Sequence, residues 1–539
     1  MLSTKKHLII YRTQALTDEK LQFRRIHGCD FTTIHQSSEK SIGYRRRKYI
    51  QEIYYEINLH RQKNKEFIKL ISSNVNMKKV SILPFSCPFS DNNQYKELKY
   101  VTRNLCLRMK RINKLSLPLK EENQKDMQSF HSLSLLNNLR YLTLDFDVVR
   151  HSSNVQALQV FLEKTLKRKS WPQLKLQVFK LYLPYADSGK ITPDQVLLNF
   201  SKALRDLDKI TKFMPTKLEL DVFLNKECSS ETAIHFSETL KVLSHYSSFV
   251  FNGILSELYF KVCEEVYLYE KLEGLSVGFL LRGENDPIGE DELLKVFQES
   301  LMYCESLKNF KLSLQFRNFR GNYIPYKLNQ VLIDLSQYLS ELKLQSLVLE
   351  ISPRSSSEES QEGISSIFSS IGSLRNLKEL NLSFTDFGSN ISDKELKNLC
   401  VSFTKLKKLR SLSLDLSSGN VSDLGIQYLE HILRFQKKVE DLTLCLESCK
   451  QISVSVMAKF VVSLSQLQYL SSLKLELREL EIDNIFIEAL MKTVPQFKFL
   501  SEFILILPSS QNEDVIENLE KWLQCCHIKT KGTVGNFSF

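Results

Sequence analysis

The amino-acid sequence predicts an α/β solenoid, in which short strands and helices alternate and stack as repeats. Three observations support this prediction. An apolar template recurs about every 30 residues, a helix-start motif recurs between its copies, and the 539 residues include only 16 Gly and 12 Pro. A chain of this length exceeds what one compact core organises, but the core of a repeat array grows in one dimension and escapes that limit.

The template is L-x-x-L-x-L-x-L, and its clearest copies lie in the C-terminal half. They begin at Leu377, Leu409, Val439, Leu470 and Leu500, at nearly constant intervals along the chain. Apolar residues two apart place one face of a strand in a core and leave the alternate residues facing outward. One such strand buries roughly three or four apolar side chains, too few to offset the backbone entropy of a whole repeat. The strands must therefore stack on their neighbours.

Looser copies of the template extend the array toward the N-terminus. They lie at Leu344, Leu307, Leu272, Leu218, Leu176, Leu139 and Ile112. The long interval between 218 and 272 predicts one further, poorly marked repeat around SHYSSFVFNGIL. The predicted organisation is a basic, partly helical N-terminal cap region over 1–110, a solenoid of about 11–12 repeats over 111–510, and a C-terminal cap helix and tail over 511–539.

Between the strands, two apolar residues five positions apart flank a residue type that favours a helix N-cap. The pairs are Ile191/Val196, Ile288/Leu293, Ile391/Leu396, Val421/Ile426, Ile452/Met457 and Ile482/Ile487. The predicted N-caps are Thr192, Gly289, Ser392, Ser422, Ser453 and Asp483. Apolar residues at this spacing form a hydrophobic staple, and Ser392 with Glu395 predicts a capping box. Each repeat is therefore expected to contain a strand, a short loop and a helix.

These repeats resemble the leucine-rich-repeat family, of its long ribonuclease-inhibitor-like type and in divergent form, over roughly residues 110–507. The resemblance implies a horseshoe with a parallel β-sheet on the concave face and helices on the convex face. Where the family usually has Asn or Cys, this sequence has Thr385, Ser417, Glu447 and Arg478. Longer strands with a fourth apolar position are expected to compensate for the missing ladder of side chains.

The positive charge of the chain is concentrated at the N-terminus. Residues 1–120 contain 25 Lys/Arg and 9 Asp/Glu, whereas the rest of the chain contains 48 and 53. A basic patch of Arg45, Arg46, Arg47 and Lys48 is a candidate import signal or contact for an anionic partner. It opens residues 45–74, whose apolar spacing predicts a basic amphipathic helix that caps the solenoid. A strand is predicted to follow over 78–85.

The sequence indicates a protein without a catalytic site. It lacks a phosphate loop, an H-E-x-x-H motif and paired C-x-x-C motifs, so we predict no enzyme activity, no metal and no cofactor. Eleven cysteines without regular spacing favour a reducing compartment, and no window is apolar enough to span a bilayer. We expect a cytoplasmic protein. The basic patch leaves a nuclear location as an alternative. A mitochondrial location is a further alternative, because the segment from Met1 to Thr17 contains no acidic residue.

A repeat solenoid without catalytic motifs is typical of a scaffold or adaptor that binds a partner protein. The outward strand residues are the predicted contacts, and their mixed charges disfavour a nucleic-acid groove. They are Asp145, Lys180, Tyr182, Lys311, Glu350, Asp415, Cys445, Lys474 and Glu476. Two alternatives stay open: a structural subunit of a ribonucleoprotein or mitochondrial assembly, whose residues 1–120 contact RNA or lipid, and a ubiquitin-ligase substrate receptor.

Overall fold

The computed structural model divides the chain into two compact units. One unit is Met1–Gly253 with Glu257–Val262, and the other is Ile254–Ser256 with Cys263–Phe539. The residues that the structure describes are 228–242, 247–254, 257–264, 272–281, 299–316, 328–352, 361–384, 391–480 and 482–507, together with the other strands named below and a few single helical residues such as Asp194.

The first unit contains a small antiparallel sheet and a series of parallel strands. The antiparallel sheet comprises β1 (His7–Tyr11), β2 (Lys20–Ile26) and β3 (Thr32–His35). The parallel strands, each paired with the next, are β4 (Glu52–Glu56), β5 (Lys79–Leu83), β6 (Lys114–Leu119), β7 (Tyr141–Phe146), β8 (Val178–Leu183), β9 (Lys217–Val222) and β10 (Ser248–Ile254). Helix α1 (Ser230–Val242) precedes β10 and α2 (Glu257–Glu264) follows it. The repeat predicted around SHYSSFVFNGIL is therefore confirmed by β10.

The second unit has nine parallel strands in one open sheet, alternating with helices. The strands are β11 (Gly274–Leu281), β12 (Asn309–Phe316), β13 (Ser346–Ser352), β14 (Glu379–Ser383), β15 (Ser411–Asp415), β16 (Asp441–Cys445), β17 (Ser472–Glu476), β18 (Glu502–Leu507) and β19 (Thr530–Val534). The described helices are α3 (Leu328–Glu341), α4 (Gln361–Ile371), α5 (Asp393–Phe403), α6 (Asp423–Leu433), α7 (Val454–Leu464) and α8 (Asn484–Thr493). A short β20 (Phe537–Ser538) pairs antiparallel with β19. This arrangement confirms the predicted α/β solenoid of parallel strands and helices and is consistent with the horseshoe that the resemblance implies.

The core of the second unit lies between the sheet and the helices, as the alternation predicts. In β15, Leu412 and Leu414 are buried, whereas Ser411, Ser413 and Asp415 on the other face are partly exposed. Helix α6 buries one apolar stripe against the sheet, comprising Ile426, Leu429, Ile432 and Leu433. Each fully buried side chain of this size contributes roughly 1.5–3 kcal/mol, so stacking several repeats supplies what one repeat lacks.

The predicted helix starts are confirmed wherever the structure describes them. Ser392, Ser422, Ser453 and Asp483 are N-caps, and the side chain of each accepts a hydrogen bond from a backbone N–H in the first helical turn. The capping box of Ser392 and Glu395 is present, and the four staple pairs that flank these caps are buried. Thr192 and Gly289 lie outside the described residues.

A carboxylate in the first turn of one helix binds the N-cap serine of the next repeat. Asp393 accepts hydrogen bonds from the backbone N–H of Ser422 at 2.9 Å and from its hydroxyl at 2.5 Å. Asp423 binds the N–H and hydroxyl of Ser453 in the same way, at 2.6 and 2.8 Å. These contacts, which we call the aspartate ladder, join successive repeats at the N-terminal ends of their helices.

The aspartate ladder has a counterpart in the first unit and a steric requirement in the second. Asp194 accepts from both the N–H and the hydroxyl of Ser229 at 2.8 Å. In the second unit, a Cβ atom at Gly425 would lie 2.5 Å from Oδ1 of Asp393. Glycine at this position therefore leaves room for the carboxylate to reach Ser422.

Backbone hydrogen bonds also connect the repeats beyond the strands. The N–H of Leu416 donates to the carbonyl of Cys445 at 3.0 Å, and the Cys449 thiol donates to the carbonyl of Leu416 at 3.3 Å. Three non-glycine residues hold the left-handed conformation at the same point of successive turns, Ser418, Ser448 and Glu479, with φ of 60°, 63° and 65°. The aspartate ladder and these backbone hydrogen bonds both connect successive repeats outside the strands.

The prediction of a helix over 45–74 is wrong at 52–56, which the structure describes as a strand. Residues Glu52–Glu56 form β4, which pairs in parallel with β5, and β5 confirms the strand predicted over 78–85. The isoleucine and tyrosines of this segment favour a pleated, half-buried strand, and β5, a partner distant in the sequence, supplies the hydrogen bonds. Parallel strands thus occur upstream of residue 110 and, in β19, downstream of 510. Residues 511–529, the part of the predicted C-terminal cap region before β19, lie outside the described residues.

Candidate functional site

The outward face of the second unit's sheet carries most of the predicted contact residues. We define this acidic face as the outward side chains of β12–β18, which alternate with buried core residues along each strand. Its charged members are six carboxylates and two lysines: Glu350, Glu379, Asp415, Asp441, Glu476, Glu502, Lys311 and Lys474. The face is therefore predominantly negative.

One row of the acidic face brings together four of the predicted residues. The strand register aligns Glu350, Ser383, Asp415, Cys445 and Glu476 on five neighbouring strands. Asp415 accepts from the hydroxyl of Ser383 at 3.1 Å and from that of Ser417 at 2.6 Å. Adjacent strands lie about 4.7–4.9 Å apart, so the register holds these side chains at regular intervals.

The two lysines of the acidic face are paired with its own carboxylates. The Lys311 ammonium lies 2.6 Å from a carboxylate oxygen of Glu350 on the adjacent strand, and Lys474 forms an ion pair with Glu476. All four side chains are partly exposed, where such pairs contribute only about 0–1 kcal/mol. The pairs offset the positive charge and leave the other carboxylates in excess.

Cys445 lies in the same row but offers little surface. Only 8% of the residue is exposed, because its thiol lies 3.0 Å from the Ser417 hydroxyl and 3.9 Å from a carboxylate oxygen of Glu476. Burial raises the pKa of the Cys445 thiol to about 11, so the group is a neutral thiol at pH 7. Its contribution to a partner contact is correspondingly small.

A second row of the acidic face escaped the sequence prediction. The register aligns Glu379, Ser411, Asp441, Ser472 and Glu502 near the start of β14–β18. The alternation that identified the later outward positions could also have identified this row, which lies four positions before Glu350, Asp415 and Glu476 and their equivalents.

The electrostatics of this second row centre on Asp441. Burial raises the pKa of its carboxyl, and the negative charges of Glu440, Glu502 and Glu379 raise it further. A hydrogen bond from the Ser471 hydroxyl, at 3.1 Å, acts in the opposite direction. Among the described residues, no lysine or arginine forms an ion pair with Asp441 or Glu379.

The remaining predicted residues belong to the first unit or lie outside the described part of the chain. Asp145 of β7 and Tyr182 of β8 are register partners, and Lys180 pairs with Thr143. Their backbones share a register in the parallel strands of the first unit. The basic patch Arg45–Lys48 lies outside the described residues.

Comparisons and searches of the described residues give no further functional assignment. The described part of the chain contains no cluster of three or more His, Cys, Asp or Glu side chains arranged to hold a metal ion. None of its helices has the length and apolar character needed to cross a membrane. No protein-family model matches the sequence, and no curated protein matches it.

Proposed function

We propose that this chain is a non-catalytic scaffold or adaptor, a divergent leucine-rich-repeat protein that binds a partner protein through the acidic face. The observation that carries the proposal is the composition of that face: six carboxylates and two lysines stand on seven adjacent strands, and both lysines already pair with carboxylates. The charge balance favours a partner that presents Lys or Arg.

The rigidity of the sheet supports a binding role. Strands β12–β18 are hydrogen-bonded on both sides, so little conformational entropy is lost when their outward side chains meet a partner. Pre-organisation of this kind lowers the cost of association. Complementary charge adds specificity and speeds encounter more than it adds affinity.

We place the scaffold in the cytoplasm. Four cysteines in the described part of the chain, Cys304, Cys400, Cys445 and Cys449, are free and buried. Free cysteines are typical of a reducing compartment.

Charge reversal within the acidic face tests the proposal. Partners that co-purify with the tagged full-length chain are first identified, and their recovery is then measured with the double variant Asp415→Lys/Glu476→Lys. We expect recovery to fall at least roughly tenfold, because removing and reversing two carboxylates turns attraction into repulsion.

A matched control reverses two carboxylates on the helices, Glu341→Lys with Glu488→Lys. Glu341 ends α3 and Glu488 is an exposed residue of α8, so the net charge changes equally while the acidic face is untouched. Equal partner recovery with both double variants would exclude the acidic face as the binding surface.

A further inference from the structure

The turns that join each helix to the next strand form a second charged surface in the second unit, which we call the turn edge. Two adjacent turns, 404–410 and 434–440, are rich in cations and contain one carboxylate, Glu440. Their basic residues are Lys405, Lys407, Lys408, Arg410, Arg434, Lys437 and Lys438, and all seven are exposed. The parallel register of β15 and β16 places these turns side by side.

Most of these cations have no anionic partner in the described part of the chain. Arg410 pairs with Glu440 at 2.5 Å, and Arg434 pairs with Glu430. Lys408 donates to the neutral side chain of Asn376 at 2.7 Å. Among the described residues, no carboxylate forms an ion pair with the four other lysines, which are Lys405, Lys407, Lys437 and Lys438.

The solenoid does not need these cations to close its turns. The backbone N–H of Glu440 donates to the carbonyl of Arg410 at 2.7 Å, and that of Ser471 donates to the carbonyl of Glu440 at 2.6 Å. The turn before Ser471, residues 465–470, thus repeats the backbone geometry without any lysine or arginine. The fold therefore does not require the cluster of positive charge at 404–410 and 434–440.

Aromatic rings extend the turn edge beyond turns 404–410 and 434–440. Tyr469 and Phe499 occupy the positions that Lys408 and Lys438 hold in the preceding turns, directly before the first leucine or valine of the template. They are 53% and 58% exposed. Their ring centroids are 6.2 Å apart and their planes differ by 10°. The edge thus presents unpaired cations followed by two nearly parallel, exposed rings.

We propose that the turn edge binds single-stranded nucleic acid. The lysines of turns 404–410 and 434–440 contact phosphates, and the rings of Tyr469 and Phe499 stack on unpaired bases. Proteins that bind single strands combine a basic track with exposed aromatic side chains in this way. An acidic protein segment would use the cations without needing flat, parallel rings, so the combination favours nucleic acid. This surface is separate from the acidic face, and the proposal does not depend on the scaffold function.

The first test reverses the four lysines without ion-pair partners. Binding of the full-length chain to labelled single-stranded RNA and DNA of about 20 nucleotides is followed by fluorescence anisotropy between 50 and 200 mM salt. The variant Lys405→Glu/Lys407→Glu/Lys437→Glu/Lys438→Glu should bind at least roughly tenfold more weakly. Its log–log salt slope should become shallower by about 0.7 for each phosphate that the variant no longer binds.

A matched control reverses four exposed lysines on the helices, Lys394, Lys397, Lys459 and Lys492. The control carries the same net charge, so nonspecific repulsion of the oligonucleotide, and any contribution from the basic residues 1–120, is the same in both variants. The control should bind more tightly than the turn-edge variant. Equal affinities for the two variants, or no binding by the unchanged chain at 50 mM salt, overturn the proposal.

The second test removes the rings. Tyr469→Ala/Phe499→Ala should bind RNA or DNA at least roughly fivefold more weakly, because stacking of each base is lost, while the salt slope stays constant. Leu424→Ala/Ile485→Ala, which removes two exposed apolar side chains from helix N-termini, is the matched control. Thermal unfolding of each variant verifies that the fold is intact.

Binding of two other polyanions is measured to distinguish nucleic acid from an acidic protein segment and from an anionic membrane. Poly-glutamate represents an acidic protein segment, and vesicles containing phosphatidylserine represent an anionic membrane. Binding to either that is as tight as to the oligonucleotides, and insensitive to Tyr469→Ala/Phe499→Ala, overturns the assignment. A difference between the RNA and DNA arms identifies which strand the edge prefers, and tighter binding of either strand than of both other polyanions supports the proposal.

Discussion

The two ends of helices α5 and α6 carry opposite charges, and these charges make different contacts. At the N-terminal ends of α5 and α6, Asp393 and Asp423 are bound to the serine of the next repeat. At the C-terminal ends of the same helices, the lysines of the turn edge face solvent. Both signs complement the helix dipole, but only at the acidic end does the charged side chain bind the N-cap of the next repeat.

The difference follows from how each helix end satisfies its unpaired backbone groups. The first N–H groups of a helix have no intrahelical acceptor, and in α6 the Ser422 side chain, itself bound to Asp393, accepts from one of them. At the C-terminal end of α5, the N–H of Leu406 and the side chain of Gln436 both donate to the carbonyl of Phe403, at 3.0 and 2.6 Å. Lysines are therefore not required there and remain available to a partner.

The largest effect is expected from breaking the aspartate ladder. Asp393→Ala removes the acceptor of two hydrogen bonds from the half-buried Ser422, and donors left unsatisfied there cost up to about 1–3 kcal/mol. The free energy of unfolding, measured by urea denaturation, should fall by that amount. A change below about 0.5 kcal/mol, the range of ordinary surface substitutions, would show that the ladder does not connect the repeats energetically.

A smaller loss is expected at the N-cap itself. Ser422→Ala should lower the free energy of unfolding by about 0.5–2 kcal/mol, because the N–H of Leu424 loses its side-chain acceptor. Partner binding should be unchanged in the folded protein, since Ser422 lies outside both interaction surfaces. Loss of binding at full stability would instead assign Ser422 a direct role in recognition.

Protonation of a ladder carboxylate at low pH should lower the stability of the fold, whereas protonation of an acidic-face carboxylate should raise it. Burial acts to raise the pKa of Asp194, but hydrogen bonds from Thr232 and Ser229 outweigh it and hold the pKa below 3.8. The ionised Asp194 therefore stabilises the fold above its unfolded pKa, and this contribution is lost as the pH falls through the folded value. Asp441 has a raised pKa, so its protonated form stabilises the fold and the contribution is lost as the pH rises.

The measurement is the thermal midpoint between pH 3 and 7 for Asp194→Asn and Asp441→Asn. Relative to the unchanged chain, Asp194→Asn should lose less stability on acidification, and Asp441→Asn should lose more. The same response from both variants would contradict the assigned directions.

The smallest effect is expected from the turn edge. Lys407→Ala and Lys438→Ala should each change the free energy of unfolding by less than about 0.5 kcal/mol, as exposed residues outside any structural contact do. Measured beside Asp393→Ala, these variants sharpen the contrast between the two helix ends. A loss comparable to that of Asp393→Ala would show that the cations also hold the repeats together.

The sequence was informative where structure depends on neighbours along the chain. The strands and the caps Ser392, Ser422, Ser453 and Asp483 follow from short-range alternation and capping chemistry. The segment 52–56 was mispredicted because its apolar residues fit helical spacing locally, whereas its strand partner, β5, begins only at Lys79 and lies beyond any local window.

The surfaces were less accessible to sequence reasoning, because they combine residues from different repeats. The burial of Cys445 depends on Ser417 and Glu476 from the neighbouring repeats. The stretches KLKKLR and RFQKK are visible in the sequence, but only the register of β15 and β16 shows that they form one edge. Likewise, the reach from Asp393 to Ser422 needs the geometry of adjacent helix starts.

The order of residues in the aspartate ladder also matches the order in which the chain is synthesised. In every rung that the structure describes, the carboxylate precedes its serine by 29 to 35 residues. Ribosomes release the N-terminal part of a chain first, and domains generally begin to fold in that order. The acceptor for each new helix cap has therefore already been synthesised when the serine emerges, so growth from the N-terminus supplies each repeat with its docking site in turn.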